Sequence, residues 1–236
     1  MSVNPRLARL LEHPALWRGR SAARVPTWST GYPMLDAGLP GGGWPRAGLV
    51  EILTPQPGVG ELHLLVPALA RLTGLTPARW IAWIAPPFEP FAPALAARGV
   101  VLDRQLVVRT HLPLWAMEQA LGSGACEAAL AWAQEARPRD LRRLQLATER
   151  GRTLGFVFRN LAAAREASPA ELRLSIVPQG EGVEVELIKS RGGSRERIRM
   201  ELGGGGARGA KGYARRATRD GPEPTSRRFW PVARSS

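Results

Sequence analysis

The residues best placed to do chemistry lie between Gly48 and Leu72. A short apolar strand is predicted over 48–53, then a Pro/Gly loop from Thr54 to Gly60, then a helix with Leu62, Leu65, Leu69 and Leu72 on one stripe. A strand that feeds such a loop onto a helix N-terminus is the layout of a phosphate-binding unit, because loop and helix N–H groups converge on one point. A working unit also needs a Lys to reach the outer phosphates and a Ser or Thr to hold magnesium. Glu61 and Leu62 stand in those places. A carboxylate repels a triphosphate, and a leucine ligates no metal. The stretch Pro55, Gln56, Pro57, Gly58, Val59, Gly60, Glu61 and Leu62 therefore reads as a degenerate phosphate loop with no cofactor. Glu61 has a structural reading as well: at the first turn its charge suits the helix dipole and can replace the phosphate as the bound anion.

Other chemistry is thinly represented. A single cysteine, Cys126, excludes an internal disulfide, and His13, His63 and His111 are too scattered for a zinc site, so no metal is expected. The 33 Lys and Arg against 20 Asp and Glu leave a formal charge of +13, which favours polyanions and says nothing about fold. Three basic clusters are candidate interface or polyanion contacts. They are Arg139, Arg142, Arg143 and Arg150 on a predicted helix, Lys189 and Arg191 after a predicted strand, and Arg227 and Arg228 beside Phe229 and Trp230. A solvated helix face is the plainer account of the first cluster. Contact with DNA, if made, is expected to be weak, independent of sequence and steeply dependent on salt.

The elements that must position these residues follow from periodicity. Residues 1–26 hold an amphipathic helix over 4–13 (Leu7, Leu10, Leu11) and a basic linker; the helix either packs on its own core or, as a family resemblance of this chain implies, packs on a neighbouring subunit to give a homo-oligomer. The core spans 27–202. Its strands are predicted at 79–85, 102–110, 127–133 and 154–158, and its helices at 88–98, 114–121 and 137–152. Three alternating strands close it at 172–177, 183–188 and 197–202. Residues 203–236 form a Gly-rich, low-complexity basic tail carrying +6 of the net charge, and it is expected to be disordered. No run of 18 apolar residues and no signal-like N-terminus occurs, so a soluble cytoplasmic protein is expected.

The segment STGYPMLDAGLPGGGWPRAGLVEI resembles the lead-in to the P-loop of the RecA family, through Ser29-Thr30-Gly31, Leu35-Asp36, Gly41-Gly42-Gly43, Pro45 and Val50-Glu51-Ile52. The loop PQPGVGEL resembles ImuA, the RecA-like accessory family of damage-induced mutagenesis, sometimes described as SulA-like. The resemblance runs from about Thr27 to about Leu202. It implies an α/β fold with a RecA-like P-loop NTPase core and a mostly parallel central sheet. It also implies that the family's second acidic motif falls at Leu130, Ala131 and Trp132, where no carboxylate stands, and that Asn160 replaces a nucleotide-sensing glutamine. Lys189 and Arg191 match a segment that senses nucleotide on the next subunit. The expected function is thus a non-catalytic accessory role in SOS-induced translesion synthesis. The expected partners are an ImuB-like inactive Y-family protein, an error-prone polymerase subunit and RecA. The alternatives are an inhibitor that binds the cell-division machinery, as SulA does, and an atypical ATPase.

Overall fold

The computed structural model describes residues 26–180, 182–190, 197–200 and 232–234. A hairpin-like pair, β1 (Thr27–Trp28) and β2 (Trp44–Pro45), stands apart from one large sheet. That sheet contains β3 (Gly48–Thr54), β4 (Trp80–Ile84), β5 (Gln105–Arg109), β6 (Cys126–Trp132), β7 (Leu154–Asn160), β8 (Leu172–Gln179), β9 (Gly182–Ser190), β10 (Arg197–Met200) and β11 (Val232–Arg234). Its order is β10-β9-β8-β3-β7-β6-β4-β5-β11. Pairing is parallel from β8 across to β11 and antiparallel from β8 to β10. The expected mixed α/β fold with a mostly parallel central sheet is what the chain forms.

The strands are apolar almost throughout because both faces are covered. Successive residues of a strand face opposite sides, so β3 sends Val50 and Ile52 into one core and Leu49 into another. The first core takes Leu64, Leu65, Leu69 and Leu72 from α2 (Glu61–Thr73). The second takes Met117 and Leu121 from α4 (Pro113–Gly122), with Leu141 and Leu144 from α5 (Pro138–Gly151). Two short helices complete the set, α1 (Pro33–Gly38) and α3 (Ala92–Ala96).

Three expectations shift. The helix predicted over 88–98 contracts to α3, because Pro90 holds Glu89 extended and Pro93 fits only a first turn. The strand predicted from 102 opens with a 3-10 turn at Leu102–Arg104, before β5. Val232–Arg234, inside the stretch expected to lack structure, lies along β5 as a parallel edge strand. The predicted N-terminal helix over 4–13 and the rest of the tail lie outside the described residues. Among the described residues, no helix is long and apolar enough to cross a membrane.

Candidate functional site

The loop between β3 and α2 is built around two glycines with left-handed backbone, Gly58 (φ 87°) and Gly60 (φ 110°). Only glycine takes these angles without strain, and the resulting turns aim backbone N–H groups inward as an anion nest. The anion in it is the chain's own. Gly58 N–H donates to Glu61 Oε1 at 2.8 Å and Gly60 N–H donates to Oε2 at 3.1 Å. Glu61 is only 3% exposed, so its carboxylate fills the nest. Leu62 turns against the first core. Pro55, Gln56 and Gly58 stay exposed, while Pro57, Val59 and Gly60 are half-buried.

The segment leading into the loop braces it. Asp36 accepts from Ser29 Oγ at 2.6 Å and from Thr30 N–H at 2.7 Å, and Tyr32 Oη donates to the His63 carbonyl at 3.1 Å. His63 lies 2.8 Å from Arg98 through Nε2. Burial, and then the Arg98 charge, lower the pKa of this ring. On the far side, Asn160 donates to the Pro55 carbonyl at 3.5 Å, and its Oδ1 caps the next turn at Ala162 N–H.

Where the resemblance would put an acidic metal ligand, the chain stacks rings. Leu130 and Ala131 are fully buried. Trp132 lies between Phe158, at 4.4 Å between centroids, and Trp83, at 6.3 Å, with all three planes nearly parallel. Among the described residues no group of three or more His, Cys, Asp or Glu could hold a metal ion. Cys126 offers no nucleophile at neutral pH, since burial pushes its thiol up to about 11 despite the opposing pull of Arg79.

The basic candidates are scattered. Arg139, Arg142, Arg143 and Arg150 are exposed on the outer face of α5, and Arg143 pairs with Glu118 of α4 at 2.6 Å. Lys189 instead donates to the Ser168 carbonyl at 2.6 Å, over β8 and away from the nest. Arg191, Arg227, Arg228, Phe229 and Trp230 lie outside the described residues. Sequence reasoning missed a buried ionic cluster beside the nest strand. Glu51, fully buried, accepts from Arg159 at 3.0 Å and faces Arg173 at 3.3 Å. Ser168 Oγ also donates to it. Arg159 continues to Glu166 at 2.7 Å and to the Ala136 carbonyl at 2.8 Å. The signal was present: a lone carboxylate inside GLVEILT and an arginine ending LGFVFR can be buried only if they are paired.

Comparison with known proteins finds a family model, Cell division inhibitor SulA, that matches residues 49–155. A Cell division inhibitor SulA from Photorhabdus laumondii is 32% identical over 118 residues, covering 49% of this chain and 66% of that protein. One from Edwardsiella piscicida is 32% identical over 127 residues, covering 51% of this chain and 75% of that protein. The crystal structure of SulA from Pseudomonas aeruginosa aligns with a TM-score of 0.40 and 24% identity, over 47% of this chain and 97% of that one. The family model and the two relatives correct the expectation of an ImuA-type mutagenesis accessory. The relatives are inhibitors of division, so translesion synthesis is withdrawn as the function, and so are the ImuB-like protein, the polymerase subunit and RecA as the partners.

Proposed function

The chain belongs to the SulA family of cell division inhibitors, and on that premise we propose that it arrests division by binding a protein of the division machinery, without catalysing a reaction. The relationship supplies the process. The mode is supported by one observation above the rest, the Glu61 carboxylate seated on Gly58 N–H and Gly60 N–H. A nest holding a fixed negative charge at these distances has no place for a nucleotide phosphate. The scaffold is then a phosphate-loop fold of RecA type whose ligand has been replaced by a side chain. The ring stack at Trp132 supports the same reading, since phosphoryl transfer depends on charged groups and magnesium positioned around the phosphates.

The test is expression of the full chain from an inducible promoter in a rod-shaped bacterium, with cell length and nucleoids followed by microscopy. The expected outcome is long filaments without septa, containing regularly spaced nucleoids. Cells of normal length at a high level of soluble protein would overturn the reading.

A further inference from the structure

We propose that the outer face of α4 and α5 is the docking surface of this chain, and that its occupant is an acidic segment of the partner protein carrying an apolar anchor. The inference rests on the division-inhibitor reading and names the surface that reading requires. A groove of about 310 Å³ opens between the N-terminal end of α4 and α5, lined by Leu112, Trp115, Leu144, Glu118 and Arg143 among others. Leu112 is 64% exposed, Trp115 52% and Leu146, on the outer face of α5, 49%. None of these three belongs to either core: Met117 and Leu121 seat α4 on the sheet, and Leu141, Leu144 and Ala147 seat α5. Exposed apolar groups rimmed by charge mark contact surfaces, and Trp and Arg are the residues on which binding energy concentrates.

The rim sets the sign of the occupant. Residues 137–152 contain six arginines against Asp140 and Glu149. The two carboxylates lining the groove are already engaged. Glu118 holds Arg143, and Asp140 accepts from Arg137 N–H at 3.2 Å at the start of α5. Arg139 reaches Asp140 at 3.7 Å, and Arg142 and Arg150 also lie at the surface. Positive potential around an apolar groove selects a segment with carboxylates flanking a large apolar side chain. A second copy fits poorly, since a two-fold contact through this patch sets like charge against like charge.

Four variants of the full chain test the surface at matched expression: Trp115→Ser, the pair Arg139→Glu with Arg142→Glu, Trp115→Phe, and Arg165→Glu as a charge control in the exposed 3-10 turn after β7, outside α4 and α5. In parallel, a benzophenone side chain in place of Leu146 is photolysed in cells, and the joined peptide is sequenced by mass spectrometry. The first two variants should need at least tenfold more protein for the same mean cell length. Trp115→Phe and Arg165→Glu should behave as the parent chain. The joined peptide should be acidic with an apolar anchor, and Trp115→Ser should abolish it. Full potency of Trp115→Ser or of the double reversal overturns the proposal. So does a crosslink to a second copy, to nucleic acid, to a peptide without carboxylates, or to nothing. If the parent chain fails to arrest division, the family-based reading falls, and the crosslinked peptide alone decides the surface.

Discussion

Glu61 satisfies two N–H groups that would otherwise face each other across an empty nest. Glu61→Ala should therefore destabilise the protein by about 1 kcal/mol, since Gly58 N–H is exposed and Gly60 N–H half-buried, so water can partly replace the lost acceptor, measured by urea denaturation. Emptying the seat should not create a nucleotide site. Neither Glu61→Ala nor the pair Glu61→Lys with Leu62→Thr should hydrolyse ATP with magnesium, because Leu130, Ala131 and Trp132 supply no carboxylate. Micromolar ATP affinity of the parent chain in calorimetry would contradict the account of Glu61 as the resident anion. The residues of the lead-in carry a related lesson. Ser29, Thr30 and Asp36 spend their polar groups on one another, so they brace the lead-in internally. Their pattern held no information about partners, and that is why a RecA-derived role was inferred for a chain of the SulA family.

Between β7, β3 and β8 the sheet is tied by charge as well as by its ladder. Arg159→Met would leave Glu51 fully buried with one cationic partner fewer and would release Glu166 and the Ala136 carbonyl. Removing one member of a buried pair costs about 3–5 kcal/mol, so chemical denaturation should show a loss of that size with far-UV helix content unchanged. A loss below about 1 kcal/mol would mean that Arg173 and Ser168 suffice. Elements of this kind were legible to different degrees. The amphipathic pattern of α5 and the apolar run of β3 announced themselves, since periodicity follows directly from which face is buried. The 88–98 helix failed because its apolar content concealed two prolines that allow only a single turn. The Glu51 cluster was invisible as a cluster, because its members lie over a hundred residues apart and only the strand order brings them together. The groove beside Trp115 was missed for the same reason: Leu112 and Trp115 lie at the start of α4 and Leu144 on α5, and no local pattern reveals that they line one groove.

The whole molecule is arranged so that its most buried strand waits longest for its neighbours. β3 is flanked by β7 and β8 and by nothing closer in sequence. At a synthesis rate of about 5–20 residues per second, GLVEILT emerges roughly 5–20 s before β7 can pair with it. Long-range parallel pairing is also slow in itself, because loop closure precedes any reward from contacts. A fragment of residues 1–152, which ends before β7, should accordingly pellet on expression, whereas 1–200 should stay in solution and melt cooperatively. A monomeric 1–152 fragment with a cooperative melt would show that β4, β5 and β6 alone shelter β3. The nascent chain thus presents two bare edges of its central strand to the cytosol for many seconds. The capacity of ribosome-associated chaperones then governs how much of a burst of synthesis reaches the native state, and rapid overproduction would end in inclusion bodies.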